Sequence, residues 1–168
     1  PRLSNLSLNL AVAVTDPETG IQKFARVKGP SSLPRFIGLP EKLHPATEKP
    51  LVWVGVSLED VMAQHLDYLF PGMTIQGHYL FRITRDADFP VREDEADDLL
   101  LAIQEEISKR RLEGSVCRLE IETAMPTELL QGLTQELQVH EDDIYELDGF
   151  FNPKDLFFFL SLPLPDLK

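Results

Sequence analysis

Histidine is the side chain best suited to carry a proton, a metal ion or a phosphoryl group, and this chain has four: His44, His65, His78 and His140. None has a second histidine or a cysteine at the short helical or loop spacing that brings two ligands to one metal, so no metal site is expected. Cys117 is the only cysteine, which excludes an intrachain disulfide and a thiolate cluster and fits a reducing cytoplasm. Gly29, Gly38 and Gly55 stand apart, without the Lys-Ser/Thr ending of a phosphate-cradling loop. Serine and threonine are plentiful, but no nucleophile elbow or partnering base singles one out. No residue is therefore assigned a catalytic role, and the segment by itself is expected to be inactive.

Charged and aromatic clusters offer binding rather than catalysis. Asp86, Asp88, Glu93, Asp94 and Glu95 could present oxygen to a hard cation, yet the glycine and closing glutamate of a calcium loop are missing, and a solvated helix start accounts for them. Arg35, Arg82 and Arg85 are the candidates for facing another domain or a polyanion. Arg82 and Arg85 fall on opposite faces of one strand, and Arg82 is expected to pair with Asp86. Phe150-Phe151 and Leu156-Phe-Phe-Phe-Leu160 form an apolar run on every side of a helix. Such a helix is either deep in a core or turned partly toward another domain or subunit, which makes Phe151, Phe157, Phe158 and Phe159 the candidate interface. An exposed patch there would lead the excised segment to self-associate.

The net charge of −12 is unevenly spread: residues 1–50 carry +3 and residues 51–168 carry −15. A body this acidic repels nucleic acid and other polyanions at long range, so no nucleic-acid partner is expected and a polyanion would need a concentrated patch. Lys23, Arg26, Lys28 and Arg35 could form one, and a solvated basic face explains them equally well. A chain of 168 residues suits one domain, with roughly 70% of its unfolded surface buried on folding. No run approaches the ~20 apolar residues of a membrane helix. The Pro-Arg start and the Pro-rich residues 163–168, which read as a linker, lead to the expectation of an excised domain.

Periodicity predicts the elements that hold these residues. Leu8, Leu10, Val12 and Val14 alternate with Ser7, Asn9, Ala11 and Ala13 as in a strand with one buried face, and Asp16-Pro-Glu-Thr-Gly20 turns it into a second strand from Ile21 to Lys28. Five prolines between Gly29 and Pro50 break any regular element, leaving an irregular excursion. Leu51–Val56 reads as an interior strand, and Ser57 caps a helix that puts Val61, His65, Leu66 and Leu69 on one face. A strand from Thr74 to Asp86 puts Ile75, Tyr79, Phe81 and Ile83 on one side. A helix over Asp94–Leu112 follows, with its acids first and Lys109-Arg-Arg111 last, as the helix dipole favours. Cys117, Leu119 and Ile121 alternate on another strand, Pro126 opens a helix with Leu129, Leu130, Leu133 and Leu137 on one stripe, Ile144–Leu147 is a short strand, and Asn152-Pro153 starts a last helix. This order predicts a single α+β domain with helices packed on a mixed sheet.

Four strings in sequence carry a resemblance: Leu3-Ser-Asn-Leu-Ser-Leu-Asn-Leu10, Ser32-Leu-Pro-Arg-Phe36, Ser57-Leu-Glu-Asp-Val61 with Leu69-Phe-Pro-Gly72, and Tyr79-Leu-Phe-Arg-Ile-Thr-Arg-Asp-Ala-Asp88. In this order they resemble the middle, or head, domain of polyphosphate kinase over nearly the whole chain. The resemblance implies a parent enzyme that reversibly moves the terminal phosphate of ATP to inorganic polyphosphate through a phosphohistidine, with magnesium, and that is a homodimer or higher oligomer. It implies that the histidine, ATP and magnesium belong to other domains of the same polypeptide, and that this segment, without a cofactor of its own, organises or dimerises the enzyme. A second reading, drawn from the residues alone, is an independent interaction module unconnected to phosphate chemistry.

Overall fold

The computed structural model describes residues 3, 5–47, 51–86 and 114–163. Asp88, the acids from Glu93 to Asp98, the helix expected over Asp94–Leu112 and residues 164–168 of the expected linker lie outside the described residues.

The chain opens with β1 (Leu8–Thr15) and β2 (Gln22–Lys28), joined by the expected turn. Asp16 closes that turn. Its Oδ1 accepts from the amides of Glu18 at 2.9 Å and Thr19 at 3.4 Å, and Gly20 takes a φ of +69° that an L side chain resists. The Glu18 amide, and after it the Thr19 hydroxyl, stabilise the ionised carboxyl and hold its pKa below the ordinary value.

The main sheet has five strands in the order β2-β1-β5-β6-β7, with β5 at Thr74–Arg85, β6 at Val116–Glu122 and β7 at Ile144–Leu147. All neighbours are antiparallel except β6 and β7, which run parallel across α3 (Thr127–Leu137), so the architecture is α+β with a mixed sheet. β1 lies inside the sheet, between β2 and β5, and is buried on both faces rather than one: Asn9, Ala11 and Ala13 are as enclosed as Leu10, Val12 and Val14. The alternation of Asn and Ala with larger residues reflects two different covers, not a wet and a dry side. On one face Ala11, Phe81, Ile83, Leu119 and Ile121 pack under Leu129 and Leu133 of α3. On the other, Leu10, Val12, Val14 and Leu80 pack with Leu66 and Phe151.

Two bulges redirect side chains that strict alternation misplaces. The β1–β5 register slips between Ala13 and Val14, so Val14 faces Ile75 while Ala13 faces Gly77. Ile75 thereby joins the Leu80 side instead of the side of Phe81 and Ile83. A second slip, at Thr84/Arg85, buries Val116 and leaves Cys117 exposed despite its place in the alternation.

Ser57 caps α1 (Leu58–Gln64) as expected, its hydroxyl accepting from the Asp60 amide at 3.1 Å. Ser57→Ala is expected to cost about 1 kcal/mol, read as a lowered denaturation midpoint. The helix does not run on: it breaks at His65, whose Nδ1 donates to the Val61 carbonyl at 2.8 Å, and resumes as α2 (Leu66–Leu69). Of the four residues expected on one face, only Leu66 is fully buried, and Leu69 is exposed.

The segment expected to be an interior strand is not one. Leu51 and Val52 are exposed, and β4 covers only Gly55–Ser57, paired antiparallel with β3 (Phe36–Gly38) in a separate two-stranded sheet. The Pro-rich excursion thus holds a strand of its own and a 3-10 turn at Glu41–Leu43. The last element, Pro153–Ser161, is 3-10 rather than α-helical and lies on the surface.

In α3, Gly132 sits mid-helix with nothing within 4 Å of the place its Cβ would take. Glycine there costs the helix about 1 kcal/mol relative to alanine, with no packing reason inside the fold.

Candidate functional site

The excursion, α1 and the C-terminal 3-10 segment meet at Arg35. Its Nε and Nη2 donate to Glu59 Oε1 at 2.9 and 2.6 Å, and Nη1 donates to Asp155 Oδ2 at 2.7 Å and to the Phe151 carbonyl. The guanidinium lies 4.1 Å from the centroid of the Phe150 ring, and its side chain is only 10% exposed. Its charge is consumed by two carboxylates of this chain, so Arg35 ties three segments together.

Beside it the aromatic residues form a plate. Gly38 and Gly55 face each other across β3 and β4, and the Trp53 indole lies on them so closely that a Cβ at Gly55 would overlap the ring and the Ile37 carbonyl. Phe158 and Phe159 meet the indole edge-on at 5.4 and 5.6 Å, and Phe36 contacts Phe150, Phe158 and Phe159. The Phe-rich run therefore divides three ways. Phe151 is fully buried in the main core, Phe158 and Phe159 build the plate, and Phe157 points outward at 68% exposure, flanked by exposed Leu156 and Leu160. Of the four expected interface residues, Phe157 is the one that presents most of its ring to the outside.

Arg82 pairs not with Asp86 but with Glu120, its direct cross-strand partner, at 2.7 Å. Arg82 and Asp86 are four residues apart along the chain, much farther than direct cross-strand neighbours, which is why the closer pair forms. Arg118 shares the same carboxylate at 3.1 Å and stacks on Tyr145 at 3.9 Å, so two guanidiniums converge on one acid. Arg118 and Glu120 went unnoticed in the sequence because their meeting with Arg82 depends on the β5–β6 register. Arg85 donates to the carbonyls of Leu3 at 3.3 Å and Gly114 at 2.5 Å, anchoring the N-terminal segment.

The histidines are not gathered. His44 contacts the Leu39 carbonyl through Nε2 at 2.9 Å, His65 breaks a helix, His78 lies on β5, and His140 caps a 3-10 turn at Glu141–Asp143. Among the described residues no group of three or more histidine, cysteine or acidic side chains could hold a metal ion.

A sequence profile of the polyphosphate kinase middle domain matches residues 1–159. The chain belongs to the polyphosphate kinase middle-domain family. It is 56% identical over its full length to a polyphosphate kinase of Synechocystis sp., 50% to one of Thermosynechococcus vestitus and 44% to one of Mycobacterium ulcerans, and it spans 23%, 22% and 23% of those proteins. Its fold also resembles the crystal structure of polyphosphate kinase from Porphyromonas gingivalis, with a TM-score of 0.65 and 23% identity over 95% of this chain and 20% of that one. Among the described residues of this polyphosphate kinase middle domain, no helix is long and apolar enough to cross a membrane.

Proposed function

We propose that this chain is the non-catalytic organising domain of a polyphosphate kinase, a cytoplasmic enzyme that reversibly transfers the terminal phosphate of ATP to inorganic polyphosphate through a phosphohistidine carried elsewhere in the polypeptide. The observation that carries this reading is how the cationic side chains are used. Phosphoryl transfer needs positive groups and metal around the moving phosphate. Here Arg35 is bound by Glu59 and Asp155, and Arg85 by backbone carbonyls, while the described histidines are dispersed. The described residues likewise supply no donor set fitting magnesium. On this reading ATP and magnesium are bound by the rest of the parent enzyme.

What the chain does offer is contact surface. Leu156, Phe157 and Leu160 stand out from the final element, and they suit another domain of the same polypeptide or the second subunit of a dimer. Of the three arginines, Arg82 is the one whose cluster is proposed to face a neighbouring domain or polyphosphate, because with Arg118 it leaves one positive charge in excess over Glu120, presented chiefly by the more exposed Arg118.

The test is transfer from ATP to a polyphosphate primer, measured on this chain and on the intact parent. Activity in the parent alone is expected. Activity in neither would remove the kinase reading and leave the independent interaction module, and activity in this chain would overturn the non-catalytic assignment.

A further inference from the structure

A cleft of about 230 Å³ lies where β1, α1, the Pro-rich excursion and the C-terminal 3-10 segment meet. Leu8, Leu10, Leu58, Met62 and Leu80 give it an aliphatic wall, and the exposed Leu6 and Leu33 belong to its rim. Its charged lining is Arg35, Glu59 and Asp155, one cation against two carboxylates. Arg35 uses a single oxygen of each acid: Nε and Nη2 both donate to Glu59 Oε1, and Nη1 donates to Asp155 Oδ2. Glu59 Oε2 and Asp155 Oδ1 accept no hydrogen bond among the described residues. The cleft therefore keeps one negative charge and two spare acceptors beside an apolar surface. Glu59 is well shielded and Asp155 partly so, which makes that charge act more strongly than it would on an open surface.

We infer that this cleft binds a linear primary aliphatic amine, with its ammonium between Glu59 and Asp155 and its alkyl chain along Met62 and the leucines. The size and the lining select this class. The cleft is smaller than the roughly 300–1,000 Å³ of pockets for drug-sized ligands, so its ligand has few heavy atoms. A carboxylate or phosphate would meet the surplus negative charge, and a neutral aliphatic molecule would leave both spare oxygens unanswered. A guanidinium binds best to the two oxygens of one carboxylate, and Arg35 has already taken one oxygen from each acid. An ammonium is a compact charge with three donors that can serve one oxygen on each of two acids, and an unbranched stem buries along apolar surface. Bound there, the amine bridges α1 and the C-terminal 3-10 segment and adds to the tie that Arg35 makes. This goes beyond the proposed function and does not rest on it.

Calorimetric titration of the intact parent with n-butylamine hydrochloride tests this. Saturable binding is expected, with at least tenfold weaker binding of 1-butanol, which keeps the chain without the charge, and of ammonium chloride, which keeps the charge without the chain. Glu59→Gln retains an oxygen for Arg35 and should weaken the amine at least tenfold. Asp155→Asn, at the more exposed acid and so the gentler change to the fold, should do the same, and melting curves without ligand show that both variants are folded. Asp142→Asn, which removes an equal charge from an exposed site, should leave binding unchanged. No saturable binding to the wild-type parent would overturn the proposal, as would binding that survives both cleft variants or that Asp142→Asn weakens equally. One lysine of the parent that resists acetylation by acetic anhydride in the wild type and not in Glu59→Gln would identify that lysine as the occupant and overturn the free amine. Phosphoryl transfer by the same samples separates the two readings: an active parent that binds no amine sinks the cleft and leaves the kinase domain standing, and an inactive parent that binds it does the reverse.

Discussion

Phe151→Ala is expected to destabilise the chain by about 3–5 kcal/mol, whereas Phe157→Ala, six positions on in the same Phe-rich run, should stay within about 0.5 kcal/mol of the parent stability. Phe151 is fully enclosed and belongs to the cluster of Leu10, Val12, Val14, Leu66 and Leu80, so truncation removes a whole ring from a packed site and leaves a cavity. Phe157 has no such enclosure. Urea denaturation of both variants reads the contrast directly. Similar losses for the two would mean that Phe157 is packed against something in solution, and a small loss at Phe151 would mean that the second core cluster closes without it.

Arg35→Ala should have the next largest effect, about 3 kcal/mol, because it leaves two carboxylates facing each other with their shared cation gone. Glu59 is well shielded at 16% exposure, while Asp155 at 29% is partly solvated, which moderates the cost. At this chain length that corresponds to a melting temperature lower by about 6–12 °C. Arg35→Lys should recover only part of it, since an ammonium cannot span Glu59, Asp155 and the Phe151 carbonyl as the guanidinium fork does. An unchanged melting temperature in Arg35→Ala would show that the three segments are held by the aromatic plate instead.

These two residues also mark where the sequence was readable. The hairpin at Asp16–Gly20, the cap at Ser57, and β5, β6, α3 and β7 follow from period and punctuation, because each is a local signal that burial of one stripe or face reinforces. What escaped was set by partners distant in sequence. Ile75 and Cys117 changed places through bulges, which no single strand announces. Leu51-Val-Trp-Val-Gly-Val56 has the composition of an interior strand, yet its role is to lay one indole on two glycines and to add Gly55 and Val56 to a small outlying sheet. Arg35 was singled out for its charge, but the carboxylates that consume it lie 24 and 120 positions away. The Phe-rich run was recognisable as special, and only the fold separates its core ring, its plate rings and its outward ring.

The interior position of β1, between β2 and β5, bears on how this chain is made. Its hairpin partner β2 follows at once, but its other neighbour, β5, pairs Leu8 with Arg82, more than seventy residues downstream. At ribosomal rates of about 5–20 residues per second, several seconds pass between emergence of the hairpin and arrival of the strand that completes it. For that interval a strand destined to be dry on both faces stands with one bare edge, which makes the nascent hairpin the point at which a chaperone would engage this protein and at which slow translation would do the most harm.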